Sequence, residues 1–264
     1  MQKLLLWSRG LGLRWLLCIA ATTALLWGSA DHDIVSWITG VKLKAADTDS
    51  TDDDSEPNYI RPKGAQFGQD HWVLRKFKAN FEGFFIDVGA HDGELLSNTL
   101  RLEQAGWRGI CIEPFPANFD NRSCILSKFA VAARAGTAEF VQCQGWRSAL
   151  SGLQHATGAA SMAQDRTGKR CRQVRVPTRT LAQILRENGA PTVIDYVNID
   201  IEGSELEVLQ SFPFGSYCVR LWTVEHTSFR GNNSDKARIR AALRARHCKV
   251  KDVLRIDFFA ECPC

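Results

Sequence analysis

Residues 84–94 combine glycines with carboxylates in a pattern that could bind a ligand containing a nucleoside. The segment begins with the apolar residues of a buried parallel strand and breaks at Gly89 and Gly93, with Asp87 just before the first glycine. It continues with leucines at helical spacing until Gly106. A strand, a glycine loop and a helix would let the backbone approach a ligand and would present free N–H groups at the helix N-terminus to an anion.

A second carboxylate, Glu113, ends the next apolar strand, at residues 109–114. An acid in that place can accept hydrogen bonds from both ribose hydroxyls of a nucleoside. The loop lacks the G-x-G-x-x-G pattern of dinucleotide sites, and Asp87 suits a cationic amino group better than a pyrophosphate. S-adenosylmethionine has a ribose, an amino group and a carboxylate, so it is the expected cofactor; a strand-turn-helix with no ligand is the alternative. The expected cofactor-binding residues are Asp87, Gly89, Ala90, His91, Asp92, Gly93, Glu113 and Pro114.

The chain resembles the FkbM-type family of S-adenosylmethionine-dependent methyltransferases, in a eukaryotic, signal-anchored form. The similar stretches are 86–93 (IDVGAHDG), 112–114 (IEP) and 195–209 (DYVNIDIEGSELEVL), with weaker similarity at 129–132 and 178–181. The Asp-x-Glu-Gly-x-Glu pattern within the third stretch is the most typical of the family. Many members carry lysine where this chain has Asn198. The resemblance extends from residue 83 to the C-terminus and implies a methyltransferase fold and activity.

Methyl transfer to an alcohol needs a group that accepts the proton of the acceptor. Asp200 and Glu202 follow the strand at 193–199, whose end faces the cofactor in this fold. His226 ends the next strand, and a histidine pKa near neutrality suits a general base. We therefore expect Asp200, Glu202 and His226 to be catalytic. The alternatives are a partly buried His226 bonded to Glu225, and a Glu205 that only charges the first turn of its helix.

The predicted elements alternate as in a doubly wound α/β fold. The resemblance gives them the Rossmann-like plan of a class I methyltransferase, with seven strands of which the last is antiparallel. After the first two strands, we expect a strand pair at 129–133 and 138–142, a helix at 180–188, a strand at 193–199, a helix at 204–212, a strand at 219–224, a helix at 236–245 and a terminal antiparallel pair at 249–253 and 255–260.

The chain divides into three parts by composition. Residues 1–30 contain three bases, no acid and an uncharged apolar run, which predicts a signal peptide or an uncleaved type II membrane anchor, with an organelle transit peptide as a third possibility. Residues 31–60 are acidic and poor in apolar groups, which predicts a disordered stem. Residues 61–264 form the expected catalytic domain. These features predict the lumen of the endoplasmic reticulum or Golgi, or secretion.

Positive charge is concentrated between residues 144 and 186, which hold eight bases and one acid. Residues 145–170 show no clear period, and we interpret them as a long insert over the ligand side of the sheet. Two interpretations of this insert remain: a flap that binds an acceptor with an anionic group, and a solvated basic loop. Nucleic-acid binding is not expected, because aromatic residues are not interleaved with these bases.

Eight of the nine cysteines lie outside residues 1–30, which predicts disulfides in a chain that carries a signal segment. Cys111 could instead be a buried free thiol, and Cys262 and Cys264 could each join a different loop. Zinc binding is the alternative role for these cysteines, but no C-x-x-C pair is present and His247 is a lone neighbour of Cys248, so no metal site is expected. The sequons at Asn121 and Asn232 are candidate glycosylation sites.

Two functions from different classes follow. The first is an O-methyltransferase of the secretory pathway that acts on a glycan or a small hydroxylated metabolite. The second is a methyltransferase-like protein without catalysis that acts as a membrane-tethered trafficking or binding partner. Binding of the cofactor product separates the two.

Overall fold

The computed structural model describes residues 64–155, 171–226, 233–254 and 256–264, without the side chains of 145–147 and 233–234. The predicted signal segment, the predicted stem, Asn232 and residues 156–170 of the predicted flap lie outside the described residues.

A seven-stranded sheet forms the centre of the domain. Its strands are β1 (Phe84–Val88), β2 (Arg108–Ile112), β3 (Ile125–Ser127), β8 (Val193–Ile199), β9 (Cys218–Glu225), β10 (Lys249–Val253) and β11 (Asp257–Glu261). Their spatial order is β10-β11-β9-β8-β1-β2-β3. Neighbouring strands run parallel except β11, the last in the chain, which is antiparallel to both β9 and β10. The predicted α/β fold with a reversed last strand is therefore present.

A second, four-stranded sheet was not predicted from the sequence. Its strands are β4 (Ala130–Val131), β5 (Gly136–Cys143), β6 (Gly152–Leu153) and β7 (Cys171–Arg179), and a 3-10 helix, η1 (Gly145–Leu150), lies between β5 and β6. The spatial order is β4-β7-β5-β6. We expected residues 129–133 and 138–142 to pair with each other, but the strands there lie on opposite sides of β7, which hydrogen-bonds to both. The third strand of the main sheet is instead the short β3.

Five α-helices lie within the described residues: α1 (Gln69–Leu74), α2 (Leu100–Gln104), α3 (Leu181–Glu187), α4 (Glu205–Ser211) and α5 (Asn233–Arg244). Helix α3 begins with a capping box in which Thr180 and Gln183 satisfy each other's backbone N–H groups. The main core packs α3, α4 and α5 against the central strands, with Trp222, Ile199 and Leu209 fully buried. This packing holds the ends of the strands in fixed positions.

Helix α2 is shorter than the sequence predicted. We expected it to follow the glycine loop directly, but the Asp92 carboxylate accepts hydrogen bonds from the N–H groups of Glu94 and Leu95, and the Ser97 hydroxyl accepts from those of Thr99 and Leu100. These side chains compete with helical hydrogen bonds and delay the helix until Leu100. The expectation that its N-terminus presents free N–H groups to the ligand was therefore wrong.

Four disulfides join the eight cysteines: Cys111–Cys124, Cys143–Cys171, Cys218–Cys264 and Cys248–Cys262. Cys262 and Cys264 bond to different segments, as predicted, whereas Cys111 is not a free thiol. Among the described residues, no helix has both the length and the apolar composition needed to cross a bilayer.

Candidate active site

The carboxyl ends of β1 and β8 meet at Gly89 and Asp200. The Asp200 N–H donates to the Val88 carbonyl at 3.0 Å. Gly89 has φ +87°, and a Cβ atom on it would fall 1.8 Å from the Asp200 carbonyl oxygen. Since no side chain fits there, only glycine lets the two strand ends come this close.

The glycine loop turns between β1 and β2 and is tied to β2 by its backbone. The N–H groups of Gly89 and Ala90 both donate to the Ile112 carbonyl, at 3.0 and 3.2 Å. At the far end of the loop Gly93 has φ +86°, and its Cα packs so closely against Asn118 and Phe119 that an added Cβ would lie 3.0 Å from both. These hydrogen bonds and close contacts restrict the backbone of the loop at both of its ends.

Glu113 lies just after β2 and faces the loop. Its carboxylate accepts one hydrogen bond from the His91 N–H and one from the Phe115 N–H, each 3.0 Å long and each on a different oxygen. Burial raises the pKa of Glu113 to about 7, against the opposing effect of these two hydrogen bonds. The carboxylate is thus fixed in orientation, with acceptor capacity left for a ligand hydroxyl.

A cavity of about 220 Å³ lies between the two sheets at this edge. Its lining includes Gly89, His91 and Glu113 from the loop side and Asp200 and Glu202 from the end of β8. The second sheet and the segments next to it close the other side with Phe115, Phe129, Phe140, Ser148 and Leu153. The cavity therefore combines carboxylates on one wall with aromatic and apolar groups on the other, as small-molecule sites commonly do.

The segment between β5 and β6 lies against the glycine loop. His91 Nε2 and Ser148 Oγ are 2.9 Å apart, and Ser148 is on η1. The disulfide between Cys143, at the end of β5, and Cys171, at the start of β7, joins the residues that flank the predicted insert at 145–170. Cys143 also lines the cavity. The described part of the insert thus lies over the ligand side of the sheet, as predicted. Two arginines of the basic stretch at 144–186 lie outside the insert, on β7, and pair with acids of the chain: Arg175 with Glu139 and Arg179 with Glu187.

Four carboxylates gather where β8 and β9 end. Oxygens of Asp200, Glu202 and Glu225 all lie within 4.8 Å of one another. Glu205 accepts the N–H groups of Ile201 and Gly203, at 3.0 and 2.9 Å, and so holds the connecting turn closed. Burial, followed by repulsion from neighbouring acids, raises the pKa of Asp200 to about 7 and the pKa values of Glu202 and Glu225 well above the ordinary value.

Asp87 does not line the cavity. It is 1% exposed, and its two carboxylate oxygens accept hydrogen bonds from the Thr99 hydroxyl at 2.6 Å and the Asn198 amide at 2.9 Å. Arg122, whose sequence neighbours gave no sign of this role, donates to Thr99 and to the Gly93 carbonyl. Burial raises the pKa of Asp87 despite these partners. Asp87 therefore positions the loop through Thr99 and Arg122, from the side of the loop that does not line the cavity.

His226 lies apart from the other predicted catalytic residues. Its Nε2 is 3.1 Å from Asp252 Oδ1, its ring packs 4.2 Å from that of Phe258, and it is not among the residues that line the cavity. It bonds Asp252 rather than Glu225. Burial and the nearby Lys236 charge lower its pKa. The structure brings Asp200 and Glu202 together and leaves His226 out of the cavity lining.

Most of the predicted cofactor-binding and catalytic residues share one cavity wall. Those that line it are Gly89, His91, Asp92, Glu113, Pro114, Asp200 and Glu202. Ala90 and Gly93 lie in the loop without lining the cavity. Sequence reasoning missed Glu225, Ser148 and the aromatic wall. Only Glu225 had a local signal, because it ends a buried strand next to the histidine that was chosen.

The chain was compared with protein-family models, curated proteins and solved structures. No curated protein and no solved structure matches the chain significantly. A family model described as the methyltransferase FkbM domain matches residues 87–250. These residues run from the end of β1 to the start of β10. They include the glycine loop, Glu113 and the acidic turn, by which we mean Asp200, Glu202, Glu205 and Glu225 at the ends of β8 and β9. The match covers more than half of the sequence, and the chain belongs to the FkbM methyltransferase family.

Proposed function

We propose that the chain is an S-adenosylmethionine-dependent O-methyltransferase of the secretory pathway that acts on a glycan or a small hydroxylated metabolite. The single observation that carries this proposal is the arrangement of Gly89 and Glu113 on one cavity wall: a glycine that no other residue can replace, beside a fixed carboxylate. The strand order with a reversed last strand also suits the class I methyltransferase plan.

The residues present fit the proposed cofactor. Glu113 offers carboxylate oxygens for ribose hydroxyls, Gly89 keeps the wall open next to it, and Phe115 and Phe140, with ring centroids 5.5 Å apart, give an apolar face for a base. When bound, S-adenosylmethionine supplies an electrophilic methyl group on a sulfonium. Asp87 does not line the cavity and would position the loop through Thr99 and Arg122 rather than touch the ligand.

Asp200 is the proposed proton acceptor for an alcohol. It lines the cavity, and its pKa of about 7 lets it take a proton at neutral pH and release it again. Glu202 lines the same wall and would orient the acceptor. We place the base at Asp200 rather than at His226, because His226 faces Asp252 and not the cavity.

The disulfides support an oxidising compartment, because such bonds persist in secreted and luminal proteins and are rare in the cytosol. Asn121 is exposed, as a glycan acceptor must be. We propose a luminal or secreted protein, tethered to the membrane by residues 1–30 if they stay uncleaved. Loss of mass on endoglycosidase treatment of the cellular protein would support this proposal, and cytosolic protein with free thiols would contradict it.

The proposed activity is tested by incubating the full chain with S-adenosylmethionine carrying a labelled methyl group and a panel of hydroxylated glycans and metabolites, with uronate-containing members included. We expect label in an acceptor that is lost with Asp200→Asn and kept with Glu187→Gln, an acid of α3 outside the cavity. Failure to bind any cofactor product would instead favour a non-catalytic methyltransferase-like protein.

A further inference from the structure

The acidic turn at the ends of β8 and β9 brings three carboxyl groups together without a cationic partner in the described part of the chain, and two of them, Asp200 and Glu225, hydrogen-bond to each other. Asp200, Glu202 and Glu225 are all partly buried, and their closest carboxylate oxygens lie within 4.8 Å of one another. Among the described residues, no lysine, arginine or histidine forms an ion pair with any of the three. Buried charges are normally paired or coordinate a metal.

Ser204 gives a second and independent observation. It occupies the position just before α4, where a serine hydroxyl usually accepts a helix N–H, but it makes no such bond. The residue is 4% exposed, and its hydroxyl oxygen has no hydrogen-bond partner. It lines the same cavity as Asp200 and Glu202. A buried hydroxyl without a hydrogen-bond partner destabilises the fold, and a ligand that binds the hydroxyl removes this cost.

We propose that Asp200, Glu202 and Glu225, assisted by Ser204 from the lining of the same cavity, bind a hard divalent cation of the magnesium, manganese or calcium type. Carboxylate and hydroxyl oxygens are the ligands that these ions prefer. The site lies at the edge of the cavity and shares Asp200 and Glu202 with the proposed methyl-transfer site, so a bound cation would compete with the proton of the acceptor for Asp200. Cation binding itself is measured without a methyl donor or an acceptor.

The distances suit such an ion. Oxygens on opposite sides of one cation lie about 4.0–4.2 Å apart for Mg²⁺ and about 4.6–5.2 Å apart for Ca²⁺, given usual bond lengths of about 2.0–2.1 and 2.3–2.6 Å. Three oxygens within 4.8 Å of one another can therefore reach a common ion with small side-chain movements. The raised pKa values agree with this role, since a cation would replace the protons that the acids otherwise hold.

The test is calorimetric titration of the full chain, freed of metal with a chelator, with CaCl₂, MgCl₂ and MnCl₂ in separate experiments at neutral pH. We expect one equivalent to bind with a Kd of about 10⁻⁴ M or tighter for at least one ion. Glu225→Gln and Glu202→Gln should each weaken binding about tenfold or more, and Ser204→Ala should weaken it less. Glu187→Gln, which changes a carboxylate paired with Arg179 on α3, should bind as the wild type does.

Thermal unfolding keeps the test independent of folding defects. The metal-free Glu225→Gln protein should melt at or above the wild-type temperature, because it loses a repelled carboxylate. The wild type should gain about 1.4 kcal/mol of stability at a cation concentration ten times its Kd, and the variant, with a Kd at least tenfold higher, should gain about 0.4 kcal/mol or less at the same concentration. Absence of saturable binding by any of the three ions, or binding that survives both glutamate substitutions, would overturn the proposal.

Discussion

Gly89 and Asp200 touch backbone to backbone at the ends of two parallel strands, and a Cβ atom on Gly89 would lie 1.8 Å from the Asp200 carbonyl oxygen. The contact joins the part of the chain that carries the proposed cofactor loop to the part that carries the acidic turn. Any shift of one strand end therefore moves the other.

Gly89→Ala should abolish cofactor binding because the new methyl group must displace Asp200. Gly106→Ala is the matched control: Gly106 also has a positive φ, +90°, but a Cβ added to it would have no atom within 4 Å. Both variants carry the cost of a left-handed alanine, about 1–2 kcal/mol. Equal binding of S-adenosylhomocysteine by the two variants in calorimetry would show that the close contact does not shape the site.

Asn198→Ala should destabilise the domain by about 1–3 kcal/mol, because it leaves an oxygen of the buried Asp87 carboxylate without its donor. The Thr223 hydroxyl, which donates to Asn198 at 2.7 Å, also loses its acceptor. Denaturant unfolding measures the change. Asn188→Ala, which removes an amide that donates to a carbonyl of its own helix, α3, is the control. Unchanged stability in Asn198→Ala would mean that the network does not hold β1 against β8.

Stability in the absence of divalent cations should fall as the pH rises from about 5 to about 8. Burial raises the folded-state pKa values of Asp200 and Glu205 to about 7, above the ordinary 3.8 and 4.5, so the folded protein holds more protons than the unfolded chain in this range. Their contribution to stability is therefore present at low pH and lost as the pH rises through 7.

Melting temperatures measured at several pH values in a chelator check this prediction. Asp200→Asn should flatten the decline, and Glu187→Gln should leave it unchanged. For a domain of this size, 1 kcal/mol corresponds to about 2–4 °C. A melting temperature that rises between pH 5 and 8 would contradict the assignment of raised pKa values to the acidic turn.

Once an acceptor is known, Asp200→Asn should lower turnover by roughly 10²–10⁴, the usual contribution of a general base, with little change in cofactor affinity. His226→Ala should lower turnover less than about tenfold, because the ring faces Asp252 and Phe258. Steady-state rates across the pH range distinguish the two residues. A larger loss of turnover in His226→Ala than in Asp200→Asn would show that His226 is the base and would place the acceptor next to it.

The strands that the sequence predicted well are those whose signal is local. The apolar run at residues 193–199 is buried along nearly all of its length, and β8 has the predicted bounds. The third strand of the main sheet was misplaced, because Ile125–Ser127 is only three residues long and half exposed, whereas the more apolar residues after it pair with β7, which is distant in the sequence. Such a pairing leaves no periodic signal in either segment.

The site was predictable to the extent that it lies at strand ends. Glu113 and Asp200 follow apolar runs, and the parallel sheet brings both to one edge. The contacts around them were not predictable. Arg122 and Thr99 are 23 residues apart in the sequence and meet only in the folded domain. The orientation of the His226 side chain depends on Asp252, which lies on β10 of the following hairpin. The disulfide between Cys111 and Cys124 likewise depends on how the folded chain places the two cysteines.

Calorimetric titration of the full chain with S-adenosylhomocysteine is the most direct test of the proposed cofactor site. We expect one equivalent to bind, more tightly above pH 7 than below it because burial raises the pKa of Glu113 to about 7 and only the ionised carboxylate accepts both ribose hydroxyls. Glu113→Ala should weaken binding at least tenfold, about 1.4 kcal/mol, while Glu139→Ala, an acid of β5 paired with Arg175, should bind normally. Wild-type protein that binds no S-adenosylhomocysteine, or a folded Glu113→Ala protein that binds it unchanged, would contradict the account.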